Sequence, residues 1–392
     1  MKKSKVFLLA AVGLLSVGVL TACSSSSKTS GKTYNYVYGS DPATLDYLAT
    51  NKKNMTTAVS NGVDGLFEND QYGNLKPSVA EDWSVSQDGL TYTYKIRKGL
   101  KWYTSDGEEY ANVTAKDFVT GLKHAADTNS EAIYLLQNSV KGLNDYLSGA
   151  NKDFSNVGIK AVDDYTLQYT LSQPEPYWNS KLTYSVTWPV NGDFLKSKGK
   201  DFGKSTDPTS ILYNGPYLLK ALTTKSSIEF TKNENYWDKD HVYFDNIKLT
   251  YDDGSDQESL ERNFTDGVYN LARLFPTSSN YSKVEKQYKD NIFYTQPGSA
   301  VEGVGINIDR QTYGHTSKEN DQQKTSTKTA LLNKDFRQSL GFAIDRTNYA
   351  AQLNGKEGGS TAVRNIFVKP DFVQADGKDF GTMVMDQLPA YG

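Results

Sequence analysis

Residues 75–102 read LKPSVAEDWSVSQDGLTYTYKIRKGLKW and contain the clearest structural signal in the chain. From Leu90 to Ile96, apolar or aromatic residues alternate with polar ones, as they do in a strand with one buried face. The pair Asp88-Gly89 precedes this run, and an Asp-Gly pair is typical of a tight turn between two strands. The stretch therefore predicts a β-hairpin whose first strand contains Trp83 to Ser86.

Strand and helix patterns alternate along the rest of the chain. Period-2 alternation predicts further strands at residues 33–38, 167–171, 228–231 and 247–251. Thr114, followed by Asp117 at the third helical position, is typical of a helix N-cap, and apolar residues recur on one face behind it. Helical spacing also predicts helices at 336–344 and from Thr347 to a stop at Gly355. We interpret the polar segment 317–328 as a surface loop, and the whole chain as an α/β protein.

The beginning of the chain has the layout of an export signal. Three lysines precede an apolar run over residues 6–20, which is shorter than the roughly 20 residues of a membrane-spanning helix. Small residues then lead to Cys23, and this arrangement resembles the bacterial lipobox, in which a peptidase cuts before a cysteine that carries lipid. The basic start and the serines that follow disfavour a buried core cysteine. We expect a signal peptide at 1–22, lipid on Cys23 and a flexible tether over 23–32.

Composition excludes several classes of function. A length of 392 residues favours two or three domains, and a hydrophobic fraction of 37% allows sizeable cores. Removing the three leader lysines from 43 basic residues leaves 40 against 46 acidic ones, so nucleic acid binding has no support. The single cysteine leaves none for disulfides or for thiolate zinc sites. We expect no metal and no cofactor.

Eight segments, in one order, resemble the extracellular solute-binding family that serves peptide and nickel importers, and within it the streptococcal oligopeptide-binding lipoproteins. They are residues 41–46, 65–67, 75–83, 88–102, 114–118, 213–217, 232–237 and 336–346. The resemblance implies a two-lobed, periplasmic-binding-protein-like α/β fold of type II with an inserted third domain. It places the first lobe at 33–68 and 190–295, the inserted domain at 69–189, and the start of the second lobe at 296–392.

The chain stops earlier than members of this family do. Family members continue well beyond the helix that matches residues 336–346, so the resemblance implies a second lobe that is incomplete at Gly392. The part that follows in the family contains the aspartate that pairs with the amino end of the peptide. We therefore expect the 392-residue chain to bind peptides weakly or not at all.

The resemblance also implies a set of ligand contacts. An extended peptide that pairs with a strand edge offers its backbone, which all peptides share, while its side chains enter pockets. The family positions for such contacts fall at Asn51, Lys52, Lys53, Tyr134, Arg273, Leu274, Phe275, Gly305 and Asn307. A guanidinium at Arg273 suits a peptide carboxylate. An exposed polar loop at 51–53 and an ordinary surface arginine at 273 remain open as alternatives.

Three classes of function are compatible with these patterns to different degrees. The resemblance implies a monomeric oligopeptide receptor, anchored by lipid at the outer face of the cell membrane, that serves the permease subunits of an ABC importer. A truncated or degenerate receptor that acts as a peptide sensor or surface interaction protein has the same fold. An exported hydrolase is disfavoured, because neither G-x-S-x-G nor H-E-x-x-H is present and the histidines are His124, His241 and His315.

Overall fold

The computed structural model describes residues 32–293, 301, 303–363, 366–368 and 373–387. These residues form two compact units, of which the first takes residues up to 255 and residues 268–271, and the second takes 256–267 and the described residues from 272 onward. The predicted signal peptide, Cys23 and most of the tether lie outside the described residues. None of the described helices combines the length and the apolar character that a membrane crossing requires.

The first unit contains most of the strands. They are β1 (Thr33–Tyr38), β2 (Phe67–Asn69), β3 (Leu75–Pro77), β4 (Ala80–Val85), β5 (Thr91–Ile96), β6 (Lys101–Tyr103), β7 (Glu109–Asn112), β8 (Ile159–Asp163), β9 (Thr166–Thr170), β10 (Tyr217–Thr223), β11 (Ser227–Lys232) and β12 (Asn246–Tyr251). Its helices are α1 (Lys53–Val59), α2 (Ala115–Asp127), α3 (Tyr134–Gln137), α4 (Leu143–Leu147), α5 (Trp178–Lys181) and α6 (Gly192–Lys198).

The second unit is mainly helical. Its helices are α7 (Ser259–Thr265), α8 (Tyr281–Gln287), α9 (Asp321–Leu332), α10 (Lys334–Ala343), α11 (Arg346–Ala362) and α12 (Phe380–Gln387). A short antiparallel pair joins β13 (Gln374–Ala375) to β14 (Lys378–Asp379).

Two four-stranded sheets organise the first unit. One has the order β1-β12-β11-β10, with β1 parallel to β12 and the other neighbours antiparallel. The other has the order β4-β5-β9-β8 and is antiparallel throughout. The chain therefore leaves the first sheet after β1, builds the second sheet, and returns. The first sheet lies within the residues assigned to the first lobe and the second within the predicted inserted domain, while the domain boundaries themselves stay a prediction.

The hairpin predicted from residues 75–102 is present as β4 and β5. Trp83 lies opposite Tyr94 in its register, and Gly89 adopts the φ of 71° that its tight turn requires. Asp88 completes the turn, because its Oδ1 accepts hydrogen bonds from the Ser86 hydroxyl and the Leu90 N–H.

The other predicted elements have two different outcomes. The strands and the capping box of Thr114 and Asp117 are confirmed, and Asp117 also accepts a hydrogen bond from the Trp102 indole at 2.9 Å. The surface loop predicted at 317–328 is wrong, because α9 begins at Asp321 behind an Asn320 cap. All residues of this helix from Asp321 to Thr329 are polar, so it has no apolar period to reveal it. The helix from Thr347 ends at Gly355 as predicted, because Gly355 has a non-helical φ of 74° and ψ of 169°, and a second helical stretch follows within α11 to Ala362.

The first unit has one continuous apolar core. In the first unit one apolar cluster extends from Tyr38 to Leu249, and its largest fully buried side chains include Trp102 and Trp178. Aromatic rings pack edge to face within it, with the centroids of Tyr169 and Trp178 5.2 Å apart. A rigid scaffold of this kind fixes the loops that leave it.

Candidate functional site

The segment Asn51–Lys53 is exposed and leads from Thr50 into helix α1. Lys52 is extended, with φ −63° and ψ 138°, and Lys53 is the first residue of the helix. Among the described residues, the backbone N–H and C=O of Asn51 and the N–H of Lys53 have no hydrogen-bond partner. An exposed extended segment with free backbone groups can pair with another extended chain.

Glu131 fastens this segment from the turn that precedes α3. Its N–H donates to the Ala49 carbonyl at 2.9 Å, and its carboxylate receives the Thr50 hydroxyl at 2.6 Å and the Lys52 ammonium at 2.9 Å. The hydrogen bonds from Thr50 and then from Lys52 lower the pKa of the Glu131 carboxyl. The carboxylate is therefore ionised at neutral pH and bridges two residues of one short stretch.

Further contacts hold the chain on both sides of the segment. The Ser185 hydroxyl donates to the Thr50 carbonyl at 3.5 Å, and the Asn54 amide donates to the Asp41 carbonyl at 2.8 Å. Upstream, the Gly203 carbonyl accepts the Leu45 N–H at 2.7 Å. The flanks are thus tied into the first unit while the backbone of residues 51–53 keeps free groups.

In this region, His124 is largely buried and pairs with Asp46. His124 Nε2 lies 2.8 Å from Asp46 Oδ2, and the exposed fractions of the two side chains are 16% and 12%. The His124 ring packs edge to face on Phe202, with 5.5 Å between centroids. This pair links helix α2 to the stretch that precedes residues 51–53.

Tyr134 begins helix α3, three residues after Glu131, and its side chain is 62% exposed. It is therefore accessible to a ligand. Whether Tyr134 caps a ligand stays a prediction.

The remaining predicted contacts belong to the second unit. Arg273 is exposed, with its guanidinium carbon 4.8 Å from the centroid of the Phe275 ring, and Leu274 between them is half-buried. Gly305 and Asn307 line an open hollow of about 360 Å³. Their roles as ligand contacts stay predictions. Within the described ranges there is no group of three or more His, Cys, Asp or Glu side chains that could hold a metal ion.

Comparison with known sequences decides the family. The sequence profile described as bacterial extracellular solute-binding proteins, family 5 middle, matches residues 74–379. The chain belongs to this family. The match covers the hairpin of β4 and β5 and extends through most of the second unit, and it confirms the family expected from the eight sequence segments.

Members of the family with curated names are similar along the whole chain. The oligopeptide-binding protein AmiA of Streptococcus pneumoniae is 68% identical and AliA of the same species is 60% identical, each over 100% of this chain. The chain spans about 60% of the length of these relatives.

A solved structure supports the fold. The Listeria monocytogenes OppA bound to peptide is 26% identical, with a TM-score of 0.67, over 90% of this chain and 64% of that one. The expected α/β fold of the periplasmic-binding type is thereby confirmed.

The family resemblance places residues 51–53 at the predicted peptide site, but sequence reasoning missed the residues that hold them. Glu131 is 81 residues from Thr50, and no local pattern marks it as a partner. Ser185 is 135 residues from Thr50 and stands in a short 3₁₀ turn without a recognisable motif. Long-range pairs of this kind become visible only when the fold brings them together.

Proposed function

We propose that this protein binds oligopeptides in an extended conformation, with the backbone of Asn51–Lys53 pairing with the backbone of the peptide. The free N–H and C=O groups of this exposed segment carry the proposal. Backbone pairing suits a receptor for many peptide sequences, because every peptide presents the same groups. The names of AmiA and AliA as oligopeptide-binding proteins support the same ligand class.

The further predicted contacts complete this proposal. Tyr134 caps the ligand, while Arg273, Leu274, Phe275, Gly305 and Asn307 contribute from the second unit. The peptide favours a closed form because contacts from both lobes exist only when the lobes meet. The protein acts as a non-enzymatic monomer.

We also propose that the protein delivers peptides to an ABC permease from the outer face of the cell membrane, held there by lipid on Cys23. The family description as extracellular solute-binding proteins supports this location. Metabolic labelling with a fatty acid, followed by mass spectrometry of the mature amino terminus, tests the anchor. A mature chain that begins elsewhere than Cys23 contradicts it.

Substitution of Lys53 tests backbone pairing directly. Proline is tolerated at the first position of a helix, and the extended Lys52 before it suits a following proline, so Lys53→Pro removes one N–H and leaves the fold intact. We expect Lys53→Pro to weaken peptide binding about five- to ten-fold, by the loss of one hydrogen bond. Calorimetric titration with hexapeptides up to about 1 mM detects even weak binding.

Lys53→Ala is the matched control, because it removes the same side chain and keeps the N–H. We expect its affinity to stay within about two-fold of the original chain, since the lost ammonium is exposed. Equal losses in the two variants contradict pairing through this N–H. Failure of the original chain to bind any hexapeptide in this range contradicts the proposed function, whereas tight binding contradicts the weak binding expected from the sequence.

A further inference from the structure

Two lysines stand side by side in the candidate peptide-pairing segment, and they differ in their surroundings. Lys52 is paired with Glu131, with the ammonium nitrogen 2.9 Å from the carboxylate, and both side chains are more than half exposed. Among the described residues, Lys53 has no carboxylate within 4.0 Å. The segment therefore presents one neutralised and one uncompensated positive charge.

Glu131 is held in place independently of Lys52. Its backbone N–H is bound by the Ala49 carbonyl, and its second carboxylate oxygen receives the Thr50 hydroxyl at 2.6 Å. Two anchors fix the position of this carboxylate, so Lys52 meets a charge that is already in place. A side chain placed beforehand loses less conformational freedom when the pair forms.

We propose that Glu131 is a positioning residue that masks the charge of Lys52, so that Lys52 does not add to the attraction of acidic ligands by the uncompensated Lys53. The inference rests on the proposed function, because it assumes that residues 51–53 contact the peptide. An unmasked ammonium beside a bound peptide attracts a carboxylate on its side chains. Masking keeps recognition on the peptide backbone, which a receptor for varied sequences requires.

Replacement of Glu131 by glutamine separates charge from geometry. Glutamine has nearly the same shape, and its amide oxygen can still accept the Thr50 hydroxyl, but it no longer neutralises Lys52. We expect Glu131→Gln to raise the preference for an acidic hexapeptide over a neutral one of the same length by roughly two- to five-fold, the range of an exposed charge pair. The preference should shrink in about 1 M salt, where exposed charges are screened.

The controls use the other partner of the pair. Lys52→Met combined with Glu131→Gln removes both charges of the pair, so this double variant should keep the ratio of acidic to neutral affinity of the original chain. Calorimetric titration of the two hexapeptides into the original chain, the two single variants and the double variant gives this ratio directly. A shift in the ratio that needs Lys52 and is lost in salt supports the masking role.

The other outcomes overturn it. If Glu131→Gln weakens both peptides equally, Glu131 only supports the shape of the segment. An unchanged ratio of acidic to neutral affinity in Glu131→Gln likewise excludes the masking role. In both cases the proposed function still stands if the original chain binds the neutral peptide. If the original chain binds neither peptide, the proposed function fails and the masking role fails with it.

Discussion

Asp64 places a carboxyl group inside the first unit, where only 8% of the residue is exposed. Its side chain accepts the Tyr236 hydroxyl at 2.8 Å, and its backbone exchanges hydrogen bonds with the side chain of Asn214. Burial raises the pKa of Asp64 to about 7, although the hydrogen bond from Tyr236 acts in the opposite direction. The folded protein therefore binds a proton at Asp64 more tightly than the unfolded chain does.

This residue predicts a pH dependence of stability. Because the folded pKa is raised, the contribution of Asp64 is most favourable below the ordinary value of 3.8 and is lost as pH rises through about 7. Asp64→Asn removes this titration. The free energy of unfolding of the variant minus that of the original chain should therefore increase by up to about 4 kcal/mol from pH 4 to pH 8. Urea unfolding at several pH values measures the difference.

A carboxylate on the surface serves as the control for Asp64. Glu81 is exposed on strand β4, and Glu81→Gln removes one carboxylate charge without changing a buried group. If the difference in free energy of unfolding between Asp64→Asn and the original chain did not change with pH, this would falsify the proposed role of burial.

At the scale of elements, the stretch before the candidate segment depends on one close backbone approach. Gly203 has a φ of 71°, and a Cβ there would lie 2.3 Å from the Asp46 nitrogen. Its carbonyl accepts both the Leu45 N–H and the Thr44 hydroxyl. Only glycine permits this φ together with this contact, so the loop after α6 fixes the path of the chain toward residue 51.

Gly203→Ala tests this contact, with Gly149→Ala as its match. Gly149 has a φ of 76° but no atom within 4 Å of a Cβ, so its variant measures the backbone strain alone, about 1 to 2 kcal/mol. Gly203→Ala adds a clash with backbone atoms and should lose at least about 2 kcal/mol more of the free energy of unfolding. Urea unfolding of both variants gives the difference. Equal losses in the free energy of unfolding would show that the loop can move to accommodate the added Cβ at no measurable cost in stability.

The elements that could be predicted from sequence are those with a strong local signal. Strand β5 alternates strictly behind the Asp88-Gly89 turn, and helix α2 has both a capping box and an apolar face. Helix α9 was missed because its residues from Asp321 to Thr329 are all polar and show no apolar period, so only the Asn320 cap marks its start. The position of the 51–53 segment came from family resemblance, whereas its fastening by Glu131 depends on a contact between distant residues.

Across the whole molecule, the two units differ in how much apolar surface they bury. The core of the first unit contains buried side chains from stretches spread between Tyr38 and Leu249. Helix α10 of the second unit buries none of its residues, and Phe336 and Phe342 on it are 41% and 64% exposed. Helix α9 likewise buries none. Since packing of an apolar face supplies most of the stability of a helix in a protein, α9 and α10 should be the weaker elements.

Hydrogen exchange should separate the two units on this basis. Amides of α2 open only with the core of the first unit, so we expect protection factors of at least about 10³, whereas α10 opens locally and should show protection below about 10². Mass spectrometry of peptic fragments that contain residues 115–127 and 334–343 measures both in one experiment. Asp64→Asn is an internal control, because the protection of α2 relative to the original chain should increase from pH 4 to pH 8 while that of α10 does not change. Equal protection of the two helices would mean that α10 gains its stability from contacts other than buried apolar area.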